Sequence, residues 1–300
     1  MQSHPTPAPS STATPAAPIV PAHAASLVLL RDAPGGLQVL LLRRHGQAAV
    51  LGGAHVFPGG KMDAADATLQ AQQLDQSGAA LHASLGEPGL GVAQACGLYT
   101  AAVRETFEEC GVLLADGVQR AAPAEAAAMH RDGMAFNDIL QRLALRLATR
   151  DMAPWSRWIT PVIPTNTAGR RFDTRFFVAM LPPGQTAAHD GHENTKTLWI
   201  APREALQRYW EGHISMAPPQ IMGLAHLSRH SAMADVLQAA RRAPPPVILP
   251  ERIDIAGERG VCYPGDPCHS VAQRALPGPT RLVQRNDRFE PLGGFDALFS

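Results

Sequence analysis

Apolar positions fall into blocks whose spacing changes along the chain. Ala25-Ser-Leu-Val-Leu-Leu-Arg31 and Leu37-Gln-Val-Leu-Leu-Leu-Arg43 are nearly continuous apolar runs separated by Asp32-Ala-Pro-Gly-Gly36. That pattern predicts strand, turn, strand, with both faces of the strands covered. His55-Val-Phe-Pro-Gly-Gly60 reads as a short strand entering a glycine turn. Residues 67–97 hold no clear period and are expected to form an insertion with some helix. From Leu98 the spacing becomes helical: Leu98, Ala101, Ala102, Glu105, Glu108, Glu109 and Val112 recur at three- and four-residue steps, with Gly111 in a capping position.

Further along, a helix is predicted over 124–149. Strands follow over 158–164 and 171–180 with a Thr165-Asn-Thr-Ala-Gly169 turn between them, then a short strand over 197–200. Residues 202–210, 219–229 and 231–242 read as helices. Strands interleaved with helices indicate an α/β fold. Residues 1–24 are Pro, Ala, Ser and Thr with almost no charge, too poor in large apolar side chains to offset ordering, and are expected to be a disordered tail. The main domain is expected over 25–242. After Pro244-Pro-Pro246 come scattered strand signals at 247–255 and 281–284, an extension (243–300) whose order the pattern does not fix.

Charge narrows the function classes. The 300 residues carry 26 Lys+Arg against 26 Asp+Glu, so the chain lacks the basic surplus of a general polyanion binder. Affinity for phosphate must come from a local site or a bound cation, and no nucleic-acid partner is expected. Cys96, Cys110, Cys262 and Cys268 contain no C-x-x-C pair and are read as reduced, and Cys262, Cys268 and His269 fit no common zinc spacing. No apolar run is long enough to span a bilayer, and the start lacks the basic and apolar segments of a signal peptide, so no membrane partner and a cytoplasmic location are expected.

The chemistry concentrates in Arg104-Glu105-Thr106-Phe107-Glu108-Glu109-Cys110-Gly111-Val112. On a helix, positions 105, 108 and 109 project from one face, and the single Arg104 cannot neutralise three acids. An oxygen-rich cluster of this kind suits a hard divalent cation such as Mg²⁺ or Mn²⁺. A solvated acidic face is the bland alternative.

These residues resemble the signature of the Nudix hydrolases, G-x5-E-x7-R-E-U-x-E-E-x-G-U with U aliphatic. Gly60-Lys-Met-Asp-Ala-Ala-Asp66 matches the first half, with Asp66 where glutamate is usual, and the Arg104 segment matches the second, with Thr106 in an aliphatic position. Arg104 follows Gly60 by 44 positions where the family motif has 14, so about thirty residues are inserted inside the motif, leaving the membership of Asp63 and Asp66 in the site open. Val56-Phe-Pro-Gly-Gly60, the split motif, Arg170-Arg-Phe-Asp-Thr-Arg-Phe-Phe177 and Pro218-Pro219-Gln220 are similar to the peroxisomal-type acyl-coenzyme A diphosphatase branch and its bacterial relatives.

The resemblance implies a Nudix α/β/α sandwich with a mixed sheet, a helical insertion inside the motif, and C-terminal helices. It implies Glu108 and Glu109 as ligands of Mg²⁺ or Mn²⁺, Glu105 as a further ligand or the base, a backbone carbonyl of Gly59 or Gly60 in the same shell, and Arg104 orienting the glutamates. Glu193, before Trp199-Ile-Ala-Pro, is a candidate additional acid or an exposed loop residue. Arg171 and Arg175 are candidates to meet substrate phosphate or to pair with Asp173. The implied reaction is hydrolysis of a diphosphate in a small nucleoside diphosphate derivative, with coenzyme A or acyl-coenzyme A as the expected substrate. ADP-ribose or an NADH-type dinucleotide stands as an alternative substrate, and a catalytically silent nucleotide-sensing domain as an alternative role.

Overall fold

A computed structural model describes residues 20–48, 51–116, 122–162 and 171–300. Strand β1 (Ala22–Ala33) turns at Gly36 into β2 (Gly36–Arg44), followed by the short β3 (His55–Val56) and β4 (Gly59–Lys61). Helices α1 (Gly78–Leu85) and α2 (Val92–Cys110) come next, then β5 (Ala115–Asp116), α3 (Ala122–Arg131), α4 (Phe136–Arg142) and β6 (Arg146–Leu147). Strands β7 (Met152–Ile159), β8 (Phe172–Met180) and β9 (Asn194–Ile200) complete most of the main sheet, and α5 (Pro202–Trp210), α6 (Pro218–Leu227) and α7 (Met233–Arg242) cover it. The chain closes with β10 (Val247–Ile248), β11 (Glu251–Ile255), β12 (Glu258–Cys262), β13 (Arg281–Arg285) and β14 (Arg288–Glu290).

The main sheet runs β10-β7-β8-β1-β2-β3, with β4 pairing β1 and β9 pairing β2. It is mixed: β1 runs parallel to β8 and β10 to β7, while the other pairs are antiparallel. The apolar runs of β1 and β2 split by the two-residue strand period. Leu27, Leu29, Leu40 and Leu42 pack beneath α1 to α4. Val28, Leu30, Val39 and Leu41 pack beneath α5 to α7. Each strand is therefore buried on both faces, and the three-layer α/β/α sandwich expected from the sequence is the observed architecture.

Several boundaries differ from the sequence reading for local physical reasons. β1 begins at Ala22, because Ala22 to Ala25 pair with β8 although they offer little apolar contrast; residues 1–19 lie outside the described residues. α2 begins at Val92, six residues before the helical period is visible, since its first turns use small buried residues, Ala95 and Cys96. The single helix over 124–149 is two helices, broken where Gly133 takes a left-handed conformation (φ 87). The strand placed at 158–164 lies earlier, at Met152–Ile159, with a register shift at Pro154; the turn at 165–169 falls outside the described residues. Residues 243–300 form the four-stranded antiparallel sheet β11-β12-β13-β14 plus β10. Tyr263, Leu276, Leu282 and Leu298 belong to the same core as α5 to α7, so no packing boundary falls at 242. The four cysteines are free thiols. Among the described residues no helix is long and apolar enough to cross a membrane.

The insertion is tied to the sheet by charge as well as by Leu74, Leu81, Leu85 and Leu90, which enter the core. Arg175 on β8 is 1% exposed; its Nε and Nη2 donate to Glu87 at 2.9 and 2.5 Å, and its Nη1 donates to the Asp173 carbonyl at 2.8 Å. Arg157 on β7 grips Asp173 through two bonds of 2.8 and 2.7 Å and also reaches Glu87 at 2.9 Å. Buried charge of this kind is tolerated only when every member is paired. Glu87→Ala should therefore lower unfolding stability in urea by about 1.5–3 kcal/mol, because it removes two charge-assisted bonds and leaves the buried Arg175 only Asp173, which Arg157 shares; a loss under about 1 kcal/mol would show that this ionic contact adds little to the hold on the insertion.

Candidate functional site

The site is built where β1, the glycine turn and α2 meet. Pro58 is fixed by β1: its carbonyl accepts from the Ser26 hydroxyl at 2.8 Å and from the Leu27 N–H at 2.9 Å. Gly59 then sits at φ 152, and a Cβ there would lie 2.5 Å from the Ala25 carbonyl oxygen. A Cβ on Gly60 would lie 2.5 Å from the Glu105 carboxyl carbon. Two glycines are thus required for different reasons, one to pass against β1 and one to admit the Glu105 carboxylate. The Gly59 N–H donates to Glu109 Oε2 at 3.0 Å.

α2 carries the acids on the face toward this turn and ends at Gly111, left-handed at φ 72, whose N–H returns to the Phe107 carbonyl. Thr106, which stands in an aliphatic position of the motif, is fully buried and donates to the Ala102 carbonyl at 2.7 Å, so its hydroxyl is satisfied within the helix. Arg104 closes the other side. Its Nε and Nη2 hold Asp66 at 2.8 and 2.9 Å, its Nη1 donates to Glu105 and Glu108 at 2.9 and 3.0 Å, and its Nη2 also reaches the Lys61 carbonyl at 3.0 Å. Asp66 is 1% exposed and also accepts from the Asp63 N–H. The insertion therefore leaves Asp66 locked to Arg104, with Asp63 at the rim, 3.9 Å from the same guanidinium.

Burial dominates the electrostatics. It pushes the Glu105 carboxyl up to about 7 against the pull of Arg104, and repulsion from Glu108 and Glu193 adds to the rise. Burial likewise pushes Glu109, 3% exposed, up to about 8, only partly offset by the Gly59 N–H, Asn194 and Arg44. Beside Glu109 lie the buried Asn194 amide and Arg44, whose Nε lacks a hydrogen-bond partner. The carboxyls of Glu105 and Glu109 resist ionising and would be stabilised in their charged form by a bound cation, whereas the idle Arg44 Nε–H is a donor that calls for an acceptor oxygen.

Glu193 arrives by a route the sequence does not advertise. The Asp190 N–H donates to the Glu109 carbonyl at 3.1 Å and the Ala188 N–H to the Cys110 carbonyl at 3.0 Å, stitching this loop to the end of α2. The Asp190 carboxylate then caps the N–H groups of His192, Glu193 and Asn194. The Glu193 side chain is exposed and stands 4.0 Å from Arg44. The structure thus gathers Glu105, Glu108, Glu109, Glu193, Arg104, Gly59 and Gly60 in one place. Arg175 is held in the Glu87 and Asp173 network, and Arg171 donates from Nε to the Thr160 carbonyl at 2.9 Å. Asn194 and Arg44 are members the sequence reading missed. Their only signals were adjacency to Glu193 and the end of the β2 apolar run.

The all-oxygen donor set is right for a hard divalent cation. Among the described residues no three His, Cys, Asp or Glu side chains stand grouped as a metal cage, because Arg104 draws Glu105 and Glu108 to itself while Glu109 turns to Gly59. The donors fit Mg²⁺ or Mn²⁺ in kind: Arg104 holds only Oε2 of Glu108, and the Gly59 N–H takes only Oε2 of Glu109.

A family model described as NUDT19 Nudix domain matches residues 13–227. The acyl-coenzyme A diphosphatase NUDT19 of Gallus gallus is 30% identical over 265 residues, covering 71% of this chain and 70% of that protein. The protein of the same name from Homo sapiens is 30% identical over 247 residues, covering 67% of this chain and 63% of that one. The chain therefore spans about two thirds of the length of these relatives. Among solved structures, a NUDIX hydrolase from Alicyclobacillus acidocaldarius is 26% identical with a TM-score of 0.59, and the match covers 76% of this chain and 100% of that one.

Because the folded-state pKa values of Glu105 and Glu109 lie above the unfolded value of about 4.3, the metal-free fold binds extra protons between that value and about 8. Its stability is full below the unfolded value and is lost as pH rises. With EDTA, Tm should fall between about pH 4.5 and pH 8 and Glu109→Gln should flatten that slope; excess Mg²⁺ or Mn²⁺ should restore Tm at the alkaline end. A flat wild-type profile would contradict the burial of these acids.

Proposed function

The chain belongs to the Nudix hydrolases, enzymes that cleave pyrophosphate bonds, and from that membership we propose that it hydrolyses the diphosphate of coenzyme A or an acyl-coenzyme A in a reaction dependent on Mg²⁺ or Mn²⁺. The observation that carries the reaction is the pair of carboxyls, the buried Glu109 and the half-buried Glu105, pressed against the Gly59-Gly60 turn with their pKa values pushed up to about 8 and about 7. The substrate reading rests on the activity named for the chicken and human relatives.

In this proposal Glu105, Glu108 and Glu109, with a Gly59 or Gly60 carbonyl, hold the metal. Once bound, the metal offsets their charge and that of the diphosphate and lowers the pKa of the attacking water. Arg104 restrains Glu105 and Glu108 from repelling one another, and Asp66 fixes the plane of that guanidinium. Glu193, more exposed than the helix acids and beside Arg44, is placed to accept a proton at the solvent side. Asn194 and Arg44 present donors toward Glu109 or an incoming phosphate oxygen.

The test is a panel of coenzyme A, acyl-coenzyme A, ADP-ribose and NADH, with product identification. Coenzyme A should yield an adenosine bisphosphate and a phosphopantetheine product with Mg²⁺ or Mn²⁺ and nothing in EDTA. Glu109→Gln should lower kcat/KM by about a hundredfold or more. No turnover of any panel member by the wild type would sink the proposal, and preference for ADP-ribose would overturn the substrate reading alone.

A further inference from the structure

A second charged site lies on the other face of the same sheet end. β9, β2 and β3 place Lys196, Arg43 and His55 in one cross-strand row: Arg43 is in register with Lys196 on one side and with His55 on the other. Like charges directly opposite one another destabilise a sheet, yet neither Arg43 nor Lys196 has an acid in ion-pair distance among the described residues. The row lines a cavity of about 630 Å³ that Arg208 and Arg288 also border, and Asp287 is its only carboxylate among the described lining residues. Arg208 and Arg288 are already paired, with Glu204 at 2.6 Å and Glu290 at 2.7 Å. The uncompensated charge is that of Arg43 and Lys196.

His55 supplies the independent observation. Its ring is 5% exposed, its Nδ1 is fully buried, and no hydrogen bond reaches that atom. Burial first, then Arg43 and Lys196, push its pKa down to about 4, so the ring is neutral and offers an N–H rather than a competing charge. A buried neutral imidazole with an idle nitrogen lines the same cavity as two exposed cations, Arg43 and Lys196, that lack counterions, a set suited to an oxyanion.

We propose that Arg43, Lys196 and His55 form a phosphate-binding pocket separate from the carboxylate cluster. Arg43 supplies a planar fork, Lys196 a point charge and His55 a neutral donor, a set that suits the tetrahedral oxygens of a phosphomonoester or of free phosphate. Two sources share this chemistry. One is a phosphomonoester on the substrate itself: His55 is four residues before Gly59, at most about 13 Å of extended chain from the glycine turn, and Lys196 is two residues after Asn194. This source rests on the coenzyme A reading above. The other is an independent phosphate ligand, which does not.

The experiment uses the full chain and the double variant Arg43→Gln with Lys196→Gln. In EDTA, inorganic phosphate should raise the wild-type Tm above that in chloride of matched ionic strength, and the variant should lose this response. Without phosphate the variant should be at least as stable as the wild type, since it removes a like-charge pair; a residue pair serving only structure would lower Tm there. With metal present, the wild-type KM for coenzyme A lacking its 3′-phosphate should exceed that for coenzyme A by about tenfold, and the variant should erase the difference with kcat unchanged. A phosphate response without a KM difference upholds the pocket and assigns it to an independent ligand. Equal phosphate stabilisation of wild type and variant, or of neither, overturns it. Failure to hydrolyse coenzyme A would leave the thermal result standing, so the two proposals fail separately.

Discussion

Like-charge repulsion on one turn of α2 is the constraint around which the rest is arranged. Glu105, Glu108 and Glu109 crowd together, and the fold meets this with a single guanidinium whose geometry is set from behind by Asp66. Arg104 reaches the cluster edge with Nη1 alone, which it gives to Glu105 and Glu108. Clamped through two bonds to a buried aspartate, its guanidinium cannot turn further inward, and its shared Nη1 offsets the repulsion between two of the acids. Neighbouring groups relieve part of it: Gly60 leaves room for Glu105 and Gly59 turns an N–H onto Glu109, whereas the loop from 188 to 194, sewn to the helix terminus, adds the charge of Glu193.

Long strands and the motif helix were legible in the sequence because large apolar side chains mark their period. The boundaries that were missed share a cause. Ala22 to Ala25 and Val92 to Cys96 carry little apolar contrast, and what defines them is pairing with β8 and packing of small residues. Gly133 broke a helix whose alanine pattern continues on either side. In the C-terminal sheet, strands of five residues or fewer alternate weakly, and their cohesion comes from pairings such as Arg285 with Glu258, distant in sequence.

The candidate site divides the same way. The three glutamates and two glycines announce themselves by spacing. Asp66 lies at the motif distance from Gly60, yet its partner is 38 residues downstream and only folding reveals that it buttresses Arg104. In the sequence Arg175 is open to phosphate or to Asp173; it pairs with Asp173 and also with Glu87, 88 positions earlier in an aperiodic stretch, a partner the local pattern does not show. Local pattern cannot report a contact whose two halves lie so far apart in the chain.

The insertion has a consequence for how this architecture can diversify. Ionic contacts flank it, Asp66 on Arg104 of α2 and Glu87 on Arg175 of β8, and between them stand Leu74, Leu81 and Leu85 with the buried Asp75, which accepts from the Thr149 and Arg150 N–H groups. Surface residues between these contacts bear on none of them, so that stretch can drift in sequence and length as a nearly autonomous module. The geometry of the glycine turn is insulated from such drift. Descendants of this chain could therefore remodel what surrounds the entrance to the site while inheriting its chemistry intact.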